Sequence, residues 1–126
     1  MSVLVDTSVW VAYFRHGNDL EQLDFLIDEN LVVTNDLILA ELIAFLKARN
    51  QNKIIALLHS VEKLRLNINW KQIIALQYAC LKSGLNGLGI PDLIIAQNAQ
   101  QHGCEIYSLD NHFQLIKDII KINLTA

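Results

Sequence analysis

Proline occurs once in this chain, at Pro91, and no linker, internal repeat or low-complexity tract interrupts the sequence. With no compositional seam, residues 1–126 are expected to fold as one domain, a length that allows a genuine core. Cysteine occurs twice, at Cys80 and Cys104, without Cys-x-x-Cys spacing, which excludes a zinc framework. Both are expected to be buried thiols, because free cysteine behaves as a small hydrophobe. His16, His59 and His102 lack metal-ligand spacing and are assigned no role. No uninterrupted apolar run approaches the roughly 20 residues needed to cross a bilayer. The opening Met-Ser-Val-Leu-Val-Asp carries neither a basic leader nor a long apolar segment, so a cytoplasmic protein without a membrane span is expected.

What is present is apolar and patterned. Hydrophobic residues make up 52% of the chain and charged residues 18%, which fits a compact globule and not a disordered chain. Short runs rich in β-branched residues alternate with longer helical patterns. Strands are expected at Val3–Val5, Leu31–Val33, Leu64–Ile68, Ile106–Leu109 and Ile120–Asn123. Helices are expected at Ser8–Phe14, Leu20–Asp28, Asp36–Arg49, Asn52–Val61, Trp70–Ser83 and Asp92–His102, with a short one between the last two strands. Strands alternating with helices predict an α/β fold whose parallel sheet is covered on both faces.

Four carboxylates break this apolar pattern. Val-Leu-Val precedes Asp6, Leu-Ile-Leu-Ala precedes Glu41, Leu-Ile-Ile-Ala follows Asp92, and Ile-Tyr-Ser-Leu precedes Asp110. Carboxylates are seldom buried unless paired or bound to metal. Few basic residues lie near these four in sequence, so one shared acidic pocket holding a hard divalent cation is the working expectation. Asp6 and Asp110 sit where two strands would end, the edge at which parallel sheets collect ligands.

Each acid also has a plainer reading. Glu41 lies on a helix that is apolar nearly all round, expected to be buried, and could pair with an unseen lysine or arginine. Asp6, in Asp-Thr-Ser, could cap the following helix. Asp92, beside Pro91, fits ordinary helix initiation, and Asp110 sits among turn residues. His112 reads as a surface histidine rather than a proton carrier, and Trp10, Tyr13 and Phe14 as core. The Gly84–Gly89 segment matches no phosphate-binding fingerprint and reads as an entry loop.

The formal charge of −3 becomes +1 once the four acids are set aside, so acidity does not exclude a phosphate substrate. It does argue against a broad basic face. The basic residues Lys47, Arg49, Lys53, Lys63 and Arg65 fit a solvated helix surface or a substrate track.

The order of motifs resembles that of the PIN-domain nucleases. It comprises Asp-Thr-Ser after the first strand, a lone Glu in an apolar helix, Gly-x-x-x-x-Asp-x-x-Ile-Ala near 87–96, and Ser-x-Asp-x-x-Phe at 108–113. The short form is similar to the VapC toxins of toxin–antitoxin pairs. The resemblance implies a three-layer α/β/α fold on a five-stranded parallel sheet. It implies Mg²⁺- or Mn²⁺-dependent endoribonuclease activity on RNA, tRNA included, with Asp6, Glu41, Asp92 and Asp110 as the catalytic, metal-binding set. Homodimerisation and a small cognate antitoxin are implied as well. Thr7, Ser8 or Ser108 would be the supporting polar residue. Many relatives carry an acid where this chain has His112, so the fourth ligand rests on Asp110. Two alternatives remain. One is a non-catalytic interaction module; the other is an aspartyl-nucleophile phosphatase, which expects an acid where Ser8 stands.

Overall fold

A computed structural model describes residues 2–17, 20–85 and 87–125. Five strands form one parallel sheet: β1 (Val3–Val5), β2 (Val32–Thr34), β3 (Glu62–Lys63), β4 (Glu105–Tyr107) and β5 (Asn123–Leu124), in the order β3-β2-β1-β4-β5. In β1, Val3 pairs with Val32 on one side and with Glu105 on the other. The central strands are buried throughout their apolar residues, which is why they read as continuous hydrophobic runs.

The helices are α1 (Thr7–Arg15), α2 (Glu21–Asp28), α3 (Asp36–Ala48), α4 (Asn52–Ser60), α5 (Trp70–Lys82), α6 (Ile90–His102) and α7 (His112–Ile116). The chain moves outward from β1 to β3, then returns past β1 to β4 and β5. Right-handed crossovers therefore put the first four helices on one face and the last three on the other. The packing agrees: α1 lies on α3 and α3 on α4, while α5 lies on α6 and α6 on α7. The reversal of direction falls between β1 and β4, the place where open α/β sheets leave a crevice.

Besides displacements of one or two residues at β2 and β4, two expected strands shift further. The third was placed at Leu64–Ile68, but the sheet pairing there is confined to Glu62–Lys63, with Leu64 N donating to Thr34 O at 2.7 Å. The alternating stretch beyond it satisfies its backbone with side chains of α6 instead. Asn98 Nδ2 donates to Arg65 O at 3.1 Å, Gln101 Nε2 to Asn67 O at 2.9 Å, and Gln97 Oε1 accepts from Asn69 N at 3.1 Å. The last strand was placed at Ile120–Asn123 but is Asn123–Leu124, because Ile120 is drawn into the core just after α7.

Trp10 and Tyr13 are buried and Phe14 packs against the core, as their apolar bulk suggests. Both cysteines are buried and burial pushes both thiols up, so neither is a ready nucleophile. The α3 helix departs from expectation: only Ile38, Leu42 and Leu46 are buried, while Ala40, Glu41, Ala44 and Ala48 are exposed. No helix among the described residues is long and apolar enough to cross a membrane.

Candidate functional site

Asp6 leaves the carboxyl end of β1 and is the N-cap of α1, with only 6% of its surface exposed. Its backbone N–H donates to Tyr107 O at 2.9 Å, which ties it to the end of β4. Two serines from opposite ends of the chain then take matching roles. Ser8 Oγ accepts from Leu109 N at 3.0 Å and donates to Asp6 Oδ2 at 2.9 Å. Ser108 Oγ accepts from Asp110 N at 3.0 Å and donates to the same Asp6 Oδ2 at 3.0 Å. The Ser8 N–H completes the cap on Oδ2 at 3.4 Å. All of these bonds converge on one oxygen, and Oδ1 takes none of them.

The same division recurs at two more acids. Glu41 sits exposed on α3, where Thr7 Oγ1 donates to its Oε1 at 3.3 Å. Asp92 occupies the third position of α6, where Pro91 opens the helix and Gly89 N donates back to Asp92 Oδ2 at 3.2 Å. His112 Nδ1 reaches that same oxygen at 3.0 Å. Glu41 and Asp92 therefore each have one oxygen held and one uncommitted, as Asp6 does.

The three acids sense one another. Partial desolvation pushes the Glu41 carboxyl above the usual range, the Thr7 bond opposes this, and the charges of Asp6 and Asp92 add to the rise. Burial likewise raises Asp92, countered by Gly89 N and His112 and reinforced by Asp6. Among the described residues, no lysine or arginine forms an ion pair with any of the four acids; the one lysine–carboxylate pair is Lys63–Asp36, at 3.0 Å. The counter-ion reading of Glu41 therefore fails.

Asp110 stands apart. His112 N donates to its Oδ1 at 3.3 Å and His112 Nδ1 lies 3.4 Å from its Oδ2, so one histidine engages both oxygens. Asp110 joins the group through His112, which bridges it to Asp92. Among the described residues, no three histidine, cysteine, aspartate or glutamate side chains stand close enough to grip one ion together. Asp6, Glu41 and Asp92 lie close enough to repel one another without forming a closed cage.

Sequence reasoning underrated three things. His112 is half-buried between two acids and not a free surface histidine; its place three residues beyond the end of the Ile-Tyr-Ser-Leu run was the available signal. Ser8 and Ser108 act as a pair, which spacing alone does not reveal. Asn35 and Asn98 were not singled out, yet they are buried together, with Asn35 Nδ2 donating to Asn98 Oδ1 at 2.9 Å and Asn35 Oδ1 capping α3 at Ile38 N. In the Gly84–Gly89 segment, Gly84 and Gly87 have φ of 76° and 89°, where a side chain would be strained; Asn86 lies outside the described residues.

Comparison with known proteins follows this geometry. The profile of the PIN domain family matches residues 3–119. Similar solved structures include VapBC2 from Rickettsia felis bound to a DNA fragment from its promoter, with TM-score 0.76, 22% identity, and coverage of 99% of this chain and 98% of that one. DNA-bound VapBC from Salmonella typhimurium has TM-score 0.76 at 16% identity, covering 99% and 97%. FitAcB from Neisseria gonorrhoeae has TM-score 0.62 at 20% identity, covering 98% and 96%. Among curated proteins, none matches this sequence significantly.

Proposed function

The chain belongs to the PIN-domain family, and we propose that it is a divalent-cation-dependent endoribonuclease that acts as the toxin of a toxin–antitoxin pair. The observation that carries this reading is the trio Asp6, Glu41 and Asp92: mutually repelling and, among the described residues, without lysine or arginine partners and each with one oxygen uncommitted. Such a donor set fits a hard cation such as Mg²⁺ or Mn²⁺. Asp6 and Asp92 would hold it directly, with Glu41 beside them and Asp110 acting through His112. A bound divalent cation supplies Lewis-acid polarisation of the scissile phosphate and lowers the pKa of water.

The protein groups have separate tasks. Ser8 and Ser108 fix Asp6 by its Oδ2 and keep its other oxygen turned to the pocket. His112 and Gly89 do the same for Asp92. Glu41, fixed by Thr7 and carrying a raised pKa, orients the attacking water and takes its proton at Oε2. Water would attack phosphorus in line, the P–O3′ bond would break, and the departing 3′ oxygen would take a proton from solvent water, to which Glu41 later releases the one it accepted. The products are a 5′-phosphate and a 3′-hydroxyl.

Two apolar surfaces suit the partners of this reading. On α5, Trp70, Ile74, Tyr78 and Leu81 fall on one stripe and each is more than half exposed. They offer on the order of 500 Å² towards the roughly 800 Å² that each partner contributes to a standard interface, and a second copy of the chain is the assigned occupant. A groove of about 530 Å³ along α3, floored by Leu39, Ala40, Ile43 and Ala44 with Lys47 and His59 at its rim, suits an antitoxin segment of apolar and acidic residues. The VapBC relatives, each solved as a complex, support a cognate antitoxin as a partner.

The test is cleavage of an RNA panel, tRNA included, with Mg²⁺ or Mn²⁺, alongside growth arrest on expression. Wild-type protein is expected to cut RNA and arrest growth, and a folded Asp92→Asn variant to do neither. A wild type that cuts no RNA overturns the nuclease reading. Equal behaviour of wild type and Asp6→Asn in the growth assay assigns the fold an interaction role instead.

A further inference from the structure

A cavity of about 260 Å³ opens between the carboxyl ends of β4 and β5 and the start of α7. Leu109 and Leu124 give it apolar walls over a floor of buried Ile106 and Phe113, and Asn111 and Gln114 line it with carboxamides. Asn111 makes no capping bond to α7, and among the described residues both carboxamides are uncommitted. The cavity shares its rim with the acid cluster, because Ser108 lines it while donating to Asp6 Oδ2 at 3.0 Å. Its occupant is thus a direct neighbour of whatever reacts at Asp6.

The lining chemistry selects among occupants. No lysine, arginine or histidine is present, and the Asp110 carboxylate contributes negative charge, so a phosphate is disfavoured. Apolar walls with primary amides and a carboxylate suit instead a flat heterocycle with a polar edge. Carboxamides present one donor and one acceptor side by side, the arrangement that reads base edges, and the Asp110 oxygens, each engaged once by His112, keep further lone pairs for an exocyclic amino group. Single-stranded RNA is read through splayed-out bases of this kind.

We propose that this cavity receives the nucleobase flanking the scissile phosphate, read by Asn111 and Gln114, with Asp110 favouring bases that carry an exocyclic amino group over uracil. The assignment rests on the nuclease reading for its substrate, but its test does not need cleavage. The full chain, ¹⁵N-labelled and in EDTA, is titrated with single-stranded tetranucleotides of adenosine, cytidine or uridine while side-chain amide resonances are followed. The Asn111 and Gln114 amides are expected to shift, with adenosine or cytidine binding about tenfold more tightly than uridine. In an Asn111→Ala/Gln114→Ala variant the preference should collapse to within about twofold; both side chains are exposed, and the backbone spectrum checks that the fold is kept. Absence of binding, unmoved amides at saturating RNA, or a preference unchanged in the variant overturns the assignment. A parallel Mg²⁺ digest separates the two ideas. RNA cut with unaltered base preference by the double variant removes the cavity's role and leaves the nuclease intact. Amide shifts without any cleavage do the reverse.

Discussion

Helices α3 and α6 each carry one acid of the site, yet they invert what their sequences suggest. Asp-Leu-Ile-Leu-Ala-Glu-Leu-Ile-Ala-Phe-Leu-Lys-Ala reads as the buried helix, but only Ile38, Leu42 and Leu46 are sealed, and a groove runs along its open side. Ile-Pro-Asp-Leu-Ile-Ile-Ala-Gln-Asn-Ala-Gln-Gln-His carries two polar amides at its middle, yet Leu93 through Ala99 are buried without interruption. Gln97 and Asn98 are tolerated there because their amides satisfy the backbone of residues 65–69 and the Asn35 side chain. Hydropathy in excess of what the fold conceals marks surface kept for other molecules, whereas buried amides mark the places where the fold holds itself together.

The largest effects should come from the acids on these two helices. Asp92→Asn is expected to lower RNA cleavage by at least about a hundredfold, since cation binding contributes several kcal/mol to such reactions. Mg²⁺ should raise the melting temperature of the wild type and not of this variant. Glu41→Gln is expected to lower cleavage comparably while, in EDTA, shifting stability by no more than about 0.5 kcal/mol in the favourable direction, because it relieves repulsion at an exposed site. A Glu41→Gln protein that cleaves normally would remove Glu41 from the chemistry.

Next in size is Asn98→Leu on α6. It leaves Asn35 Nδ2 without its partner in the interior, while Arg65 O keeps His102 Nε2 at 3.1 Å, and urea unfolding should show a loss of about 1–3 kcal/mol. Ser108→Ala should cost about 1 kcal/mol by the same measure, and should lower cleavage because Asp6 loses one of its two hydroxyl donors. Ile74→Lys on the α5 stripe should leave urea unfolding of the monomer nearly unchanged while sedimentation shows dissociation of the proposed dimer. Ala44→Gln on the open side of α3 should be the mildest, within about 0.5 kcal/mol of wild type, with its consequence confined to antitoxin binding. An Ala44→Gln loss as large as that of Asn98→Leu would erase the distinction between the two helices.

Much of this arrangement could be read in advance where burial follows directly from local pattern. The Val3–Val5 strand, the α5 and α6 spans and the parallel sheet come from apolar periodicity, and the position of Asp6 from a strand end, whereas β4 stops at Tyr107 and leaves Asp110 in the bend beyond it. What could not be read depends on distant partners. The stretch after β3 alternates like a strand, but amides on α6, some thirty residues away, take the hydrogen bonds a neighbouring strand would have taken. His112 looked like an ordinary surface histidine because its two acids arrive from a turn and from another helix. The openness of α3 is invisible in any single window, since a helix's neighbours, not its own composition, decide which of its faces meets water.

The serine pair that clasps Asp6 draws on distant parts of the chain: Ser8 follows the acid by two residues, whereas Ser108 lies 102 positions beyond it. A ribosome that has released β1 to β3 but not β4 therefore holds Asp6 with only one of its two hydroxyl donors. The proposed centre is assembled only when β4 slots in beside β1.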